Sequence, residues 1–330
     1  MTRERIVLTD RGWSDAQLER EICEAAGYEL VDLEIPADEE ALIEAVSTAD
    51  PVGILFCWAP VTSRVLAAAP RLRVATRLGV GLDNIDLTYA ANSAVAVTRV
   101  PDYCVDEVSD HVVGLTHAWA RGIPALDRDI RSGRWQPGKL ELRRIRDLTI
   151  GVWGLGSIGT AVANKFMALG CDVIAYNRTP GREPAGVRGV EIPELLEQSD
   201  VVTLHIPATP GLPPIIGTDE LASMRPGSLL INTARGALID IEAVVAGLKL
   251  DRPGAIAFDV LTTEPQVPAV LREAMDGPLG DRIIITPHVA FSSTASVREL
   301  RISATEDLLR VLRGEAPHNP VPLPVSPSEY

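Results

Sequence analysis

Thr149–Gly159 reads T-I-G-V-W-G-L-G-S-I-G, and this stretch decides the fold expected for the 330-residue chain. The apolar run from Leu148 to Trp153 predicts a strand, and Ala161–Ala168 beyond the glycines predicts a helix. A strand, a G-x-G-x-x-G turn and a helix in this order are typical of a dinucleotide-binding unit. A plain glycine-rich turn is the alternative interpretation.

The glycines at positions 1, 3 and 6 of this motif have separate predicted roles. Gly154 permits the tight turn, Gly156 lets backbone N–H groups approach a pyrophosphate, and Gly159 lets the helix pack closely on the strand. The N-terminus of the helix would then present unpaired N–H donors and the positive end of its dipole to the bound anion, and Ser157 and Ile158 of the turn are also expected to contact the cofactor.

Composition narrows the class of protein. The formal net charge is −14, which argues against a nucleic-acid partner, because such affinity comes largely from Lys and Arg. The four cysteines show no C-x-x-C spacing and favour a reduced cytoplasm over export. The first ten residues, M-T-R-E-R-I-V-L-T-D, have no apolar signal core, and no segment approaches 18 uncharged apolar residues. We therefore expect a cytoplasmic protein with neither a membrane span nor a metal site.

Strand and helix patterns alternate along the chain and predict an α/β protein with parallel sheets. Before the motif, strands are predicted at Ile6–Thr9, Tyr28–Leu33, Val52–Phe56, Arg73–Thr76 and Val95–Thr98. After it, strands are predicted at Asp172–Tyr176, Val201–Leu204, Ser228–Asn232, Ala255–Phe258 and Ile283–Thr286. Helices are expected at Val105–Arg121 and Thr294–Leu312, and the proline-rich Pro317–Pro324 is expected to be an extended tail.

The late position of the motif predicts that the dinucleotide-binding domain is inserted into another domain. We expect residues 1–100 and 293–330 to form a substrate domain and residues 101–292 to form a Rossmann domain. Both would be flavodoxin-like or Rossmann-like, doubly wound parallel sheets, with substrate bound between them at the carboxyl ends of the strands.

Three polar side chains come shortly after the ends of predicted strands: Arg235 in I-N-T-A-R-G, Glu264 in L-T-T-E-P and His288 in I-T-P-H. Arg can hold a carboxylate in a bidentate contact and polarise the adjacent carbonyl, and His can protonate the oxygen as hydride arrives. A nearby Glu would stabilise the imidazolium. Taken singly, each has a plainer interpretation: a surface ion pair, a loop carboxylate and a structural histidine.

Over nearly its whole length, the chain resembles the D-isomer-specific 2-hydroxyacid dehydrogenases. Six motifs occur in that family's order: R-L-G-V-G-L-D-N-I-D (Arg77–Asp86), G-L-G-S-I-G (Gly154–Gly159), H-I-P-A-T-P (His205–Pro210), N-T-A-R-G-A-L-I-D (Asn232–Asp240), D-V-L-T-T-E-P (Asp259–Pro265) and T-P-H-V-A (Thr286–Ala290). Within the family, Ala59–Thr62 and Val100–His111 look most similar to the C-terminal-binding-protein-like branch.

The resemblance implies roles for individual residues. Arg235, Glu264 and His288 match the family's catalytic residues, with His288 as the proton donor in reduction. The backbone N–H groups of Val80 and Gly81 match the loop that holds the substrate carboxylate. Helix Val105–Arg121 matches the family's dimer interface, which implies a homodimer.

The resemblance also implies the cofactor contacts. Asp259 matches the acid that orients the nicotinamide carboxamide, and Val108 would contact the nicotinamide ring. The remaining residues expected to line the cofactor site are His205, Ile206, Pro207, Thr233, Ala234 and His288.

One departure from the family pattern concerns the cofactor. Asn177 stands 23 positions after Gly154, where NAD-preferring members carry Asp. An acid there would bind the ribose hydroxyls and repel a 2′-phosphate, whereas Asn177 with Arg178 and Thr179 would accept that phosphate. We therefore predict that NADP(H) is favoured over NAD(H). The alternative is that Arg178 stacks on adenine and both cofactors serve.

The substrate is expected to be a small anionic 2-keto acid. Arg77 and the basic run 143–146 favour a second anionic group on the substrate, although the run can also be a solvated linker. Glyoxylate or hydroxypyruvate would suit a small pocket equally well. Phosphite oxidation is disfavoured, because a lysine would be expected where Val80 stands.

Two other functional classes stay open at this point. The branch that this chain most resembles includes transcriptional corepressors, so a dinucleotide-sensing scaffold is the alternative to an enzyme. Reduction of an acid or imine outside the hydroxyacid class is not excluded by any residue of the sequence.

Overall fold

The structure is a computed structural model that describes residues 3–35, 38–138, 140–209 and 211–324. Pro210, the last residue of H-I-P-A-T-P, lies outside the described residues. The chain divides into two compact units, Met1–Tyr103 with Ser293–Tyr330, and Cys104–Ser292. Each unit is an α/β parallel-sheet structure, so the predicted fold class is confirmed.

The first unit contains a five-stranded parallel sheet of order β2-β1-β3-β4-β5 in the described residues. This order is that of flavodoxin-like folds. The strands are Arg5–Leu8 (β1), Glu29–Asp32 (β2), Gly53–Phe56 (β3), Val74–Arg77 (β4) and Ala96–Arg99 (β5). The first four helices are Gln17–Ala25 (α1), Glu39–Ala49 (α2), Ser63–Ala67 (α3) and Leu87–Asn92 (α4), and the last helix of the chain also belongs to this unit.

That last helix, Thr294–Leu312 (α12), covers the first sheet. A Cβ built on Gly53 would lie 3.1 Å from a Leu308 methyl group, so the absence of a side chain at Gly53 lets α12 lie close to β3. Arg301 donates to both carboxylate oxygens of the fully buried Glu19 at 2.8 and 2.7 Å, which ties α12 to α1.

The proline-rich end of the chain is extended, as predicted, and it is held in place. Val321 donates to the Val97 carbonyl at 2.9 Å, and Thr98 and Pro320 form an antiparallel bridge. The buried Asp307 carboxylate accepts the His318 N–H at 2.7 Å. These bonds satisfy backbone groups that an unpaired tail would leave to water.

The second unit contains a seven-stranded parallel sheet in the described residues. Its strands are Thr149–Trp153 (β6), Asp172–Tyr176 (β7), Arg188–Gly189 (β8), Val201–Leu204 (β9), Leu229–Asn232 (β10), Ala255–Phe258 (β11) and Ile283–Ile285 (β12). Its helices are Val105–Ala120 (α5), Ile123–Arg131 (α6), Ser157–Ala168 (α7), Ile192–Gln198 (α8), Thr218–Ser223 (α9), Ile241–Lys249 (α10) and Ala269–Asp276 (α11).

The order of the second sheet is β12-β11-β10-β9-β6-β7-β8. The chain therefore starts in the middle of the sheet at β6, and the direction of strand addition reverses between β6 and β9. In open α/β sheets, ligands bind outside the carboxyl ends of the strands at such a switch point. The glycine motif follows β6, which places it at this position.

Candidate active site

The glycine turn after β6 depends on the absence of side chains at two positions. Gly154 has φ +103°, and a Cβ there would lie 2.6 Å from the carbonyl oxygen of His205. A Cβ on Gly159 would lie 1.9 Å from the Gly154 carbonyl oxygen, so only glycine lets α7 approach this turn. A Cβ on Gly156 would meet nothing within 4 Å. The residues therefore fit a pyrophosphate, because the loop opens beside the N-terminus of α7, where Gly156 provides no side-chain cap.

Asn177, directly after β7, connects the glycine turn to the turn that follows it. Its Oδ1 accepts the Leu155 N–H at 3.2 Å, and its Nδ2 donates to the Thr179 carbonyl at 2.8 Å. Arg178 and Thr179 are exposed. An acid at position 177 could keep the first bond but would place a carboxylate oxygen against the Thr179 carbonyl. The local hydrogen bonds thus favour an amide here over a carboxylate.

The loop after β10 carries Arg235 and is shaped by Asn232. The Asn232 side chain donates to the Arg235 carbonyl at 2.8 Å and accepts the Ala234 N–H at 3.0 Å. The hydroxyl oxygen of Thr233 is buried with no hydrogen-bond partner in the described part of the chain. A Cβ on Gly236 would lie 2.1 Å from the Leu261 carbonyl carbon. This loop therefore packs directly on the segment that leads to Glu264.

Glu264 and His288 form a close acid–base contact. The His288 Nδ1 atom lies 2.7 Å from the Glu264 Oε2 atom, and the Leu261 N–H donates to Glu264 Oε1 at 2.7 Å. Both side chains are about one-third exposed. The structure therefore brings together the carboxylate and imidazole that the sequence placed after two different strands.

The charge state of Glu264 fixes the tautomer of His288. Burial raises the pKa of Glu264, but the hydrogen bond and charge of His288, the Leu261 N–H and the charge of Arg235 together lower it below its ordinary value. Glu264 is thus a carboxylate at neutral pH and can only accept. The Nδ1 atom of His288 must carry a proton, which leaves Nε2 as the atom that can give or take one.

Asp259, directly after β11, organises the loop that carries His288. Its side chain is buried, and its Oδ1 accepts from Thr286 Oγ1 at 2.6 Å and from the Val289 N–H at 3.0 Å. Its Oδ2 accepts the Ala290 N–H at 2.9 Å. The His288 N–H donates to the Asp259 backbone carbonyl at 2.8 Å. Asp259 thus stabilises the backbone on both sides of the imidazole.

The predicted cofactor residues His205, Ile206 and Pro207 follow β9 at the switch point. His205 Nε2 lies 2.9 Å from Thr203 Oγ1, and burial lowers the pKa of His205 to about 4. His205 is therefore neutral at physiological pH and adds no positive charge beside the glycine turn. Val108 is buried on α5.

The predicted substrate residues lie in the first unit, where Arg77 is the last residue of β4 and Val80 and Gly81 follow that strand. Arg77 donates to the Leu78 carbonyl and lies over the Phe56 ring, 6.0 Å from its centroid. Arg99 at the end of β5 donates to the Val80 carbonyl at 3.1 Å. Because a trans peptide directs its C=O and N–H to opposite sides, this bond directs the Gly81 N–H away from Arg99.

In the basic run 143–146, the side chains of Arg143 and Arg144 contact other residues of the second unit. The Arg143 guanidinium lies over the Trp119 ring, 4.8 Å from its centroid, and donates to the Gly227 carbonyl at 2.9 Å. Arg144 pairs with Asp147 at 3.6 Å. For Arg143, the structure therefore shows a packing role within the second unit.

In the described ranges, no group of three or more His, Cys, Asp or Glu side chains could hold a metal ion. None of the helices in those ranges is long and apolar enough to cross a membrane. The second unit supplies a carboxylate-bound imidazole, with Nε2 as the atom that can exchange a proton, and a guanidinium on the neighbouring loop.

Several residues that support these loops, among them His111, Thr286 and Asn232, were not predicted from the sequence. The sequence contained two indications of such roles. Thr286 directly precedes the P-H pair of the His288 loop, and His111 stands one helical turn after Val108. Their partners are far away in the sequence, so neither signal identified the contact.

Comparison with known proteins identifies the family to which the chain is similar. Residues 113–290 match the family model described as D-isomer specific 2-hydroxyacid dehydrogenase, NAD binding domain. A D-3-phosphoglycerate dehydrogenase from Archaeoglobus fulgidus is 32% identical over 306 residues, which cover 91% of this chain and 56% of that protein. The chain thus spans little more than half the length of that relative.

Two further proteins are similar over nearly their whole length. A glyoxylate reductase from Korarchaeum cryptofilum is 31% identical over 295 residues, covering 87% of this chain and 86% of that protein. The solved structure of an acyclic imino acid reductase in complex with NADPH and D-Arg superposes with a TM-score of 0.83 at 27% identity, covering 96% of this chain and all of that one.

Proposed function

The chain belongs to the D-isomer-specific 2-hydroxyacid dehydrogenase family, and from that premise we propose that it reduces a 2-keto acid to the D-2-hydroxy acid. A bound nicotinamide dinucleotide, NAD(P)H, would supply the hydride for the carbonyl carbon. The glycine turn would hold its pyrophosphate, and the loops after β9 and β10 would line its site.

The chain's own residues handle the proton and the carboxylate. His288 Nε2 gives a proton to the carbonyl oxygen, and Glu264 stabilises the positive charge that the imidazole carries before this transfer. Arg235 holds the substrate carboxylate and polarises the ketone. The N–H groups of Val80 and Gly81 add donors for the same carboxylate. The observation that carries this proposal is the 2.7 Å contact between His288 and Glu264.

The direct test is a panel of 2-keto acids followed by loss of the reduced-nicotinamide absorbance. The panel contains glyoxylate, hydroxypyruvate, a dicarboxylic keto acid and a phosphorylated keto acid. We expect turnover of at least one of them, with formation of the D-hydroxy acid. If the protein binds dinucleotide but turns over none of them, the result contradicts an enzyme and favours a dinucleotide-sensing scaffold.

We further propose that the substrate carries a second anionic group near Arg77. The half-buried Arg77 guanidinium has no carboxylate partner among the described residues, and its Nε atom is buried without a hydrogen bond. A lower KM for the dicarboxylic or phosphorylated acid than for glyoxylate supports this. Equal or better use of glyoxylate contradicts it.

The cofactor is proposed to be NADPH in preference to NADH. The Asn177 amide and the exposed Arg178 form a neutral-to-basic turn, and a family relative with the same fold is known with NADPH. Asn177→Asp should lower the ratio of kcat/KM with NADPH to that with NADH by about tenfold or more, because the carboxylate repels a 2′-phosphate.

Arg178→Met is the companion variant for this test. It should weaken NADPH binding and leave NADH binding nearly unchanged, as measured by fluorescence titration. A wild-type protein that strongly prefers NADH, or an Asn177→Asp variant with an unaltered ratio, contradicts the assignment.

We propose a homodimer that uses the α5–α6 region. The segment after α5 exposes large apolar side chains, among them Ile123, Ile130 and Trp135, which is 82% exposed. Trp135→Glu should convert dimer to monomer, as measured by sedimentation velocity. Leu250→Glu is the matched control, because Leu250 is 75% exposed in the same unit but lies at the end of α10. A monomeric wild-type protein, or equal effects of the two variants, contradicts this interface.

A further inference from the structure

A chain of three side chains connects α5 to the loop of His288. His111 Nε2 lies 3.1 Å from Thr286 Oγ1, and Thr286 Oγ1 lies 2.6 Å from Asp259 Oδ1. Asp259 in turn accepts the N–H groups of Val289 and Ala290, as described above. The connection thus runs from a helix at the start of the second unit to the residues directly after the proposed proton donor.

Counting protons gives the direction of each bond. The Asp259 carboxylate can only accept hydrogen bonds, and it accepts from two backbone N–H groups and from the Thr286 hydroxyl. Thr286 therefore donates its single hydroxyl proton to Asp259. The Thr286 oxygen can then only accept from His111. The Nε2 atom of His111 therefore carries a proton, in the neutral as well as in the charged imidazole.

His288 needs this support because its backbone conformation is uncommon. Its φ is +52°, in the left-handed region, where a residue other than glycine is strained. Its side chain contacts Glu264, but its backbone is fixed through Asp259. If the Asp259 carboxylate rotated, it would lose its hydrogen bonds from the backbone N–H groups of Val289 and Ala290 at the same time.

His111 is well placed to prevent that rotation. Its side chain is 22% exposed, and it lies on α5 three residues after the buried Val108. The helix packs along α7, and Lys165 of α7 pairs with the exposed Asp110 of α5 at 2.6 Å. A bond from this helix holds the Thr286 hydroxyl, and hence the Asp259 oxygen, at a fixed position.

We propose that His111 is a positioning residue that acts through Thr286 and Asp259 on the His288 loop. The proposal rests on the proposed function, since it assigns a role in the same reaction. It requires a hydrogen-bond donor at the position of Nε2 and makes no use of the charge of His111.

The experiment compares four variants of the full chain. His111→Leu removes the donor, His111→Gln places an amide N–H where Nε2 stands, and His111→Asn is polar but too short. His117→Leu is the matched control, because His117 lies on the same helix and its Nδ1 contacts only the Val113 carbonyl in the described residues, at 2.8 Å.

We expect kcat to fall roughly tenfold in His111→Leu and His111→Asn, as for loss of one hydrogen bond in a preorganised site. His111→Gln should recover most of it, and the cofactor dissociation constant should change less than about twofold in all four variants. Thr286→Val should lower kcat similarly, and the double variant with His111→Leu should be no worse than the worse single variant.

Histidine-labelled NMR supplies a readout that needs no turnover. The ring signals of His288, assigned with a His288 variant among the five histidines of the sequence, should shift in His111→Leu but not in His117→Leu. Unchanged signals with unchanged kcat overturn this inference while leaving the proposed function intact. Shifted signals in a protein that reduces no keto acid support the positioning and contradict the function.

Discussion

His288→Asn is expected to lower kcat for keto-acid reduction by roughly 10²- to 10⁴-fold, the range associated with a general acid. Without the imidazole, no side chain bound to Glu264 can give a proton to the carbonyl oxygen. Asparagine is the informative replacement because it tolerates the left-handed backbone of this position better than alanine does. Steady-state kinetics measures kcat, and fluorescence titration should show a cofactor dissociation constant close to that of the wild type.

Two controls separate chemistry from folding. His318→Asn changes a histidine of the first unit whose backbone N–H is held by Asp307, and it should leave kcat unchanged. Thermal unfolding of His288→Asn should resemble that of the wild type. A variant that retains a third or more of the wild-type kcat would show that His288 is not the proton donor.

Arg235→Lys is expected to reduce kcat/KM for the keto acid by between about 30-fold and several thousand-fold. Removing one partner of a desolvated charge pair costs about 2–5 kcal/mol, and each 1.4 kcal/mol is a factor of ten. Lysine keeps the charge but lacks the planar fork that binds a carboxylate through two parallel hydrogen bonds. Because the guanidinium also polarises the ketone, kcat should fall and KM should rise.

Arg225→Lys is the control for this substitution. Arg225 pairs with Asp200 at 3.0 Å, and its side chain is half exposed, so its replacement should change kcat/KM less than twofold. An Arg235→Lys enzyme with wild-type kcat/KM would place the substrate carboxylate elsewhere, for example on the N–H groups of Val80 and Gly81 alone.

The strands were predictable because their signal is local. Each predicted strand agrees with the structure to within one residue at either end, since buried parallel strands read as short apolar runs between turns. The glycine motif then placed the inserted domain, because its position in the chain shows where the second sheet begins. The family assignment followed from motifs whose residues are contiguous, and it is confirmed. The assignment to the C-terminal-binding-protein-like branch stays a prediction.

What the sequence could not supply depends on contacts between distant residues. Helix α6 was not predicted, because Gly122, with φ +60°, separates it from α5 and Pro124 follows two positions later, so that the two turn-forming residues outweighed the helical spacing of its apolar residues. The three hydrogen bonds that the Asp259 side chain accepts from the loop of residues 286–290 were not predicted, because the two segments are far apart in the sequence. The cofactor contact of Asp259 stays a prediction. The pair of His288 and Glu264 was expected from strand order, but its geometry required coordinates.

The way the first unit is assembled has a consequence for synthesis on the ribosome. Strands β1–β5 leave the exit tunnel early, yet the helix that covers them, α12, is translated only after all of Cys104–Ser292. One apolar face of the first sheet therefore stays exposed until α12 is synthesised, which happens only after the whole second unit has been translated. Nascent chains halted before Thr294 should bind chaperones through that face, and premature stop codons just before the codon for Thr294 should yield insoluble product even though every proposed catalytic residue is already present.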